Sequence, residues 1–219
     1  IDQGILARRA ALVDALRRLV PDGVVADDDA LVAYDSDALT AYRQKPLAVV
    51  LPKSADEVSA VLRFCSANKV KVVPRGAGTS LSGGALPVGD GILLGLSRMN
   101  KILEIDLENR CAVVQPGVTN LGITRAVERD GFYYAPDPSS QVACTIGGNV
   151  AENSGGIHCL KYGLTTNNLL GVEFGLLDGN RVRFGGKALD PGGLDLLGLI
   201  TGSEGLLGVV TEVTVRLRS

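Results

Sequence analysis

The stretch Pro74-Arg-Gly-Ala-Gly-Thr-Ser-Leu-Ser-Gly-Gly84 decides how the chain is read. It follows an apolar run, Val70 to Val73, with the character of a strand. Glycine admits positive φ, so successive backbone N–H groups can turn toward one point. Ser and Thr hydroxyls add uncharged donors. Such a loop suits a diphosphate, and it also suits a plain surface turn. Arg75 could neutralise the anion or pair elsewhere. Upstream, Leu47 to Leu51 reads as a strand ended by Pro52. Ser54-Ala-Asp-Glu57 is a capping box opening a helix to about Ala67. Residues 47–74 thus form a strand–helix–strand unit with the loop at its carboxyl end, where open α/β sheets place ligands.

Before this unit, Leu6, Ala10, Val13, Leu16 and Val20 recur at helical spacing, so residues 5–20 read as one amphipathic helix. Asp27 can cap a second short helix. After it, residues 91–96 read as a strand that ends a first lobe near Met99. Lys101–Asp106 and Cys111–Gln115 form a hairpin, and Thr119 caps a helix closed by Gly131. Tyr133-Tyr-Ala-Pro-Asp-Pro-Ser-Ser140 is extended and polar. A second glycine-rich region, Thr145 to Gly156, leaves little side chain over its backbone, so a ligand or a neighbouring backbone comes close there. Residues 169–177 and 181–184 pair across Asp178-Gly179, a primed-turn signal. Residues 195–200 read as a short helix. A third glycine segment, Thr201 to Gly208, precedes Val209–Leu217, whose alternation reads as a half-covered antiparallel strand.

Composition excludes several functions. The net charge is −2, which gives no electrostatic case for nucleic acid or an anionic membrane. Aromatic residues are 4% and Trp is absent, which disfavours a base-stacking platform. No apolar run reaches the length of a membrane span. The four cysteines form no C-x-x-C, and His158 is the only histidine, so no zinc spacing exists and no metal is expected. The thiols read as buried or idle in a reducing compartment. The chain begins without Met and stops just after a strand-like run, so it reads as a piece of something longer.

The loop is neither of the common nucleotide fingerprints. Gly76-Ala-Gly78 does not complete G-x-G-x-x-G, and no helix start follows before Pro87. No G-x-x-x-x-G-K-[ST] is present. No G-x-S-x-G supports nucleophilic catalysis, and a lone histidine beside glycines reads as a structural or rim residue. Glu204 reads as a backbone-capping residue. Asp137 reads as a polar ligand contact or a turn former. What remains is three glycine-rich loops converging on an elongated polyanion.

Five ordered segments carry a resemblance: Pro74–Gly84, Tyr134–Ser140, Ile146–Asn153, Gly156–Gly163 and Gly202–Val209. Together they resemble the FAD-binding domain of the p-cresol methylhydroxylase and vanillyl-alcohol oxidase flavoproteins, within the D-2-hydroxyacid dehydrogenase group of the glycolate oxidase type. The resemblance implies an α+β fold of two lobes with FAD between them. It implies a helical segment at residues 1–46, a first lobe at 47–100 and a second at 101–219, with a C-terminal cap domain absent. Pro74, Arg75, Gly76, Ala77, Gly78, Thr79 and Ser80 would wrap the pyrophosphate. Pro136, Asp137, Ser139, Ser140 and Thr145 would line the flavin and ribityl side, continued by Gly148, Asn153 and Gly155. Glu204, Gly205, Gly208, Val209 and Val210 would meet the adenosine side, largely through main chain.

Thr79-Ser80 stands where some relatives carry a flavin-linking His, so FAD is expected to be non-covalent. The resemblance further implies oxidation of a 2-hydroxy acid such as glycolate or D-lactate, with hydride passing from the α-carbon to flavin N5. Catalytic residues would lie in the cap domain, none in this chain. An iron–sulfur partner subunit would take the electrons. The location would be cytoplasmic, at most peripheral to the inner membrane through partners. Two other readings stand beside it: a non-enzymatic flavin or electron-transfer module, and a cell-wall reductase of the same superfamily with a nicotinamide donor.

Overall fold

A computed structural model describes residues 1–188 and 193–219. Two sheets divide the chain. The first has order β1-β2-β4-β3, from β1 (Val24–Val25), β2 (Ala48–Val50), β3 (Lys71–Arg75) and β4 (Gly91–Gly95). The second has order β5-β6-β9-β7-β8, from β5 (Ile102–Asp106), β6 (Cys111–Val114), β7 (Leu169–Gly175), β8 (Arg181–Gly185) and β9 (Val209–Arg216). The mixture of a largely parallel sheet, an antiparallel sheet and interleaved helices is α+β.

In the first sheet, β2, β4 and β3 are parallel, and β4 fills the place between the two strands that the crossover joins. That crossover is α3 (Ala55–Asn68). Ser54 Oγ accepts from the N–H of Glu57 at 3.2 Å, while the Glu57 carboxylate reaches back to the N–H of Lys53 at 2.7 Å. The box therefore closes one residue earlier than its sequence form. Period-two alternation sorts the sheet's side chains. Ala48, Val50, Ile92 and Leu94 face α3 and α2 (Arg9–Leu19). Val49 and Leu93 face Leu31 on a short 3-10 turn whose N–H groups Asp27 caps. All six strand residues are fully buried.

The N-terminal helix expected over residues 5–20 is two helices. α1 (Gln3–Ala7) ends where Arg8, at φ −98° and ψ 6°, leaves helical geometry and bonds back to Ile5. Helix α4 (Asn120–Val127) is capped by Thr119 as expected and ends in a 3-10 turn before Gly131, at φ +80°. The turn at Asp178-Gly179 is not primed: only Gly179 has positive φ, and the Asp178 carboxylate takes the N–H of Asn180 instead. Strand β9 is not half-covered. It is the centre of its sheet, and Thr211 and Thr214 are buried on one face as Val213 and Val215 are on the other. The largest departure is α5 (Ile146–Glu152), a helix formed where the sequence reads as bare glycine-rich backbone. Gly147 lets this helix approach Pro116; a Cβ there would stand 2.7 Å from the Pro116 ring.

Asp90 fastens the N-terminus to the first sheet. Its carboxylate accepts from Lys71 Nζ at 2.8 Å and from the N–H of Asp2 at 2.7 Å. The Lys71 bond, followed by the Asp2 bond, lowers its pKa to about 2. A lowered carboxylate pKa stabilises the fold above the ordinary range near pH 4 and stops doing so as pH falls toward 2. Asp90→Asn is therefore expected to lower the melting temperature at pH 7, with the gap to the parent chain closing as melts are repeated from pH 4 downward.

Candidate cofactor site

A cleft lies where the carboxyl end of β3, the start of α5 and the start of β9 meet. Its first wall is the loop after β3. No helix follows that loop, as the sequence requires for a non-Rossmann site. No protein group accepts from the backbone N–H groups of Gly76, Ala77, Gly78, Thr79 or Ser80 among the described residues. Ala77 and Thr79 are exposed, but Gly76, Gly78 and Ser80 are half-buried, where N–H groups are normally paired, so their free donors mark a place for an acceptor. Gly78, at φ +68°, makes the turn, and its carbonyl accepts from the N–H of Ala38 at 2.9 Å.

The second wall is α5. The N–H of Gly148 in its first turn is also without a protein acceptor, and it lies 3.7 Å from where a Cβ on Gly76 would sit. The two sets of free donors therefore face one space. Gly76 itself sits directly against Thr145 Oγ1, leaving no room for a side chain. Thr145 is 6% exposed, and its hydroxyl has no hydrogen-bond partner. Bare glycine backbone, free N–H groups and uncharged hydroxyls fit a diphosphate-bearing dinucleotide.

The third wall is the segment before β9. Glu204 adopts φ +53°, uncommon for a residue with a Cβ, and its N–H bonds to the carbonyl of Ala151 on α5 at 2.9 Å. Gly205 rests on Pro74; a Cβ there would come within 2.6 Å of Pro74 Cγ. The segment thus bridges α5 and β3.

Arg75 lines the cleft, but its guanidinium is taken up by the protein. Its guanidinium donates to the carbonyl of Ala85 through Nε and Nη2, at 3.1 and 2.6 Å, and to that of Tyr34 at 3.3 Å. Burial lowers its pKa, opposed by the nearby Asp37. Of the two roles open to it in the sequence, it pairs elsewhere and clamps the loop from behind. No other Arg or Lys lines the cleft.

Most of the residues marked in the sequence come together here. Pro74 to Ser80, Ser140, Thr145, Gly148, Glu204, Gly205, Gly208, Val209 and Val210 line the cleft. Pro136, Asp137, Ser139, Asn153 and Gly155 do not. The Pro136 carbonyl accepts from Asn120. Asp137 holds His158, with Oδ2 2.6 Å from Nδ1 and Oδ1 accepting the His158 N–H at 3.2 Å. Ser139 is exposed on the preceding loop. Asn153 ends α5 in the left-handed conformation and accepts from the N–H of Thr166. Gly155 packs against Cys159 and Leu164. These residues support the cleft rather than line it.

The sequence reading missed Cys144, Asn149, Glu152 and Ser203 as lining residues. Asn149 is buried, accepting from Asn120 at 2.9 Å and donating to Cys144 Sγ at 3.3 Å. Its place in a Gly-Gly-Asn run was the available signal. Glu152 accepts from Ser82 Oγ at 3.1 and 3.2 Å, joining the first loop to α5, and no sequence signal marked that pair.

Comparison with known proteins agrees with this geometry. A family model described as FAD binding domain matches residues 46–185. The chain belongs to the FAD-binding domain family. FAD is its cofactor. This FAD-binding chain is 56% identical to the glycolate oxidase subunit GlcD of Escherichia coli (strain K12), over 95% of its own length and 42% of that protein. It is 36% identical to the D-lactate dehydrogenase of Anaerostipes hadrus, over 94% of its length and 44% of that protein. The chain thus spans less than half the length of these relatives. Among solved structures, an alkyldihydroxyacetonephosphate synthase superposes with a TM-score of 0.85 at 24% identity, over 96% of this chain and 40% of that one, which shows the shared fold. No helix among the described residues is long and apolar enough to cross a membrane.

Arg75→Ala is expected to lower stability by about 2 kcal/mol, the scale of a charged donor lost from buried carbonyls. Gly76→Val is expected to weaken FAD binding about tenfold or more through overpacking against Thr145. Flavin fluorescence titrations well below the melting temperature check the order: Arg75→Ala should lose less affinity than Gly76→Val or Gly78→Val.

Proposed function

We propose that this chain is the cofactor-binding portion of a flavin-dependent dehydrogenase that oxidises a 2-hydroxy acid, such as glycolate or D-lactate, to the 2-oxo acid. The observation that carries the reading is the facing set of free N–H groups, Gly76 to Ser80 opposite Gly148, in a cleft without a facing cation. The two relatives, a glycolate oxidase subunit and a D-lactate dehydrogenase, supply the substrate class.

Bound FAD supplies a hydride acceptor. The chain's own residues bind and orient it. The N–H groups of Gly76 to Ser80 would hold the diphosphate by dipoles rather than by charge, with Gly148 donating from the opposite wall. Ser140 and Thr145 would give polar contacts to the ribityl and flavin side. Gly205, Gly208, Val209 and Val210 would meet the adenosine side, largely through main chain. Leu96, Phe174 and Ile200, all buried, add apolar lining.

The binding is non-covalent. His158, the lone histidine, is held by Asp137 outside the lining, and Thr79 and Ser80 stand on the loop instead. Cys144 Sγ lies at the cleft but takes a bond from Asn149. The base that takes the hydroxyl proton belongs to the remainder of the longer enzyme, as does the surface that passes electrons to an iron–sulfur partner.

A visible spectrum of the purified chain tests the cofactor reading. A yellow protein is expected that loses its flavin to the filtrate on denaturation. A chain that stays colourless with added FAD would sink the reading, and colour kept on the denatured chain would sink its non-covalent part. The longer gene product, assayed with glycolate and D-lactate and an artificial electron acceptor, is expected to turn over at least one of them. The 219-residue chain alone is expected to turn over neither.

A further inference from the structure

The segment between the 3-10 turn at Ala30–Tyr34 and β2 stands against the glycine loop. Asp37 organises it. Its Oδ1 accepts the N–H of Leu39 at 2.9 Å, and this short turn presents the N–H of Ala38 to the carbonyl of Gly78 at 2.9 Å. The left-handed turn at Gly78 is thus fixed by residues that do not themselves line the cleft.

Asp37 is 8% exposed, and its Oδ2 has no hydrogen-bond partner. A buried carboxylate oxygen without a donor is costly unless a nearby charge offsets it. That charge is Arg75, itself 9% exposed. A Cβ on Gly78 would stand 3.6 Å from Arg75 Cδ, 3.7 Å from Arg75 Nε and 3.8 Å from Asp37 Cβ, so cation and anion flank one residue. The Arg75 guanidinium does not bond to Asp37; it donates to neutral carbonyls. Asp37 still opposes the fall in the Arg75 pKa that burial causes, ahead of Tyr34 and Asp35. Asp35 is engaged by Arg43 at 3.4 Å. Opposite charges in a buried place interact strongly without touching.

Their cancellation bears on the anion, because Gly78 belongs to the run of free N–H groups. Arg75 alone would draw any polyphosphate to the loop, whatever its shape. Asp37 alone would repel every one. Together they leave the choice to oriented N–H dipoles, which reward placement.

We propose that Asp37 is a specificity-determining residue of the cofactor cleft: its carboxylate cancels the charge of Arg75, so that the loop selects a dinucleotide by the placement of its phosphates rather than by their charge. This selectivity rests on FAD occupying the cleft. Asp37→Asn keeps an oxygen for the Leu39 N–H and removes the charge, and two effects of opposite sign are expected. The melting temperature falls, because Arg75 stays buried without its counter-charge. FAD affinity, read by flavin fluorescence, rises about fivefold, the effect of one unopposed and partly screened charge near a dianion. A purely structural role would move both downward. Inorganic pyrophosphate, titrated as a competitor of FAD, should gain more than FAD does, about tenfold, because it offers more charge and no nucleoside. Arg75→Met should bind FAD less tightly than the parent chain, and adding Asp37→Asn to it should restore about fivefold. That double variant buries neither charge, so it carries the test even where Asp37→Asn alone does not fold.

An FAD affinity of Asp37→Asn at or below the parent's, or no gain from Asp37→Asn in the Arg75→Met background, would overturn the cancellation. A pyrophosphate gain no larger than that of FAD would overturn the selectivity. FAD titration of the parent chain reads the cofactor site by itself, so a failure there is separate from a failure here.

Discussion

Gly76 lies against Thr145, and the rest of the cofactor site depends on that contact. Gly76 directly follows the first sheet's β3, and Thr145 directly precedes α5, which packs on β9 of the second sheet. Because neither backbone can retreat from its sheet, the absence of a Cβ on Gly76 fixes how near the two sheets come. Any side chain there would separate the free N–H groups of the loop from that of Gly148. The close approach is therefore what turns two unremarkable sheet ends into a cleft.

The electrostatics follow from the same arrangement. A cation in the cleft would hold a diphosphate strongly but loosely in geometry. Here Arg75 is spent on the carbonyls of Ala85 and Tyr34, fixing the loop's shape from behind. The anion's place is left to oriented N–H dipoles, which carry direction as well as potential. Ser82 and Glu152 join the same loop to α5 farther along. The loop is thus held at its root by Arg75, where Gly76 also packs against Thr145, and at its far end by Glu152.

Much of this was legible in the residues. The capping Ser54 and Thr119, the apolar periodicity of α3 and the two hairpins appear where local pattern places them, because each depends on neighbours close in sequence. The glycine loop after β3 and the residues before β9 were marked as wall, and they line the cleft. What local pattern misassigned depended on distant partners. The helix α5 was hidden because Gly147 and Gly148 have low helix propensity, and tertiary packing offsets it: Ile146 and Val150 are buried in the second core, and Gly147 lies against Pro116. Val213 and Val215 of β9 pack in the second core, while Thr211 on the other face is covered by Glu173, which with Glu212 pairs Arg183; alternation alone does not report that cover. Pro136, Asp137 and Asn153 looked like ligand contacts because polar residues in a proline- or glycine-rich loop serve a ligand and a backbone equally well. In the fold their bonds go to Asn120, His158 and Thr166.

The sequence by itself determined most of the element types, α5 excepted, the non-Rossmann character of the loop and the family, because these rest on residue spacing and on motifs read in order. The tertiary structure alone decided which of the marked residues face one another. It tied the Arg75 guanidinium to the carbonyls of Ala85 and Tyr34, brought Glu152 into the cleft and gave the segment before β9 a second cavity on its other side. The physical reason is that a free donor, a close backbone approach and a shared wall are each properties of two segments far apart in the chain. The opening glycine loop is suited to an anion by its own residues, but only α5 standing opposite makes it a site.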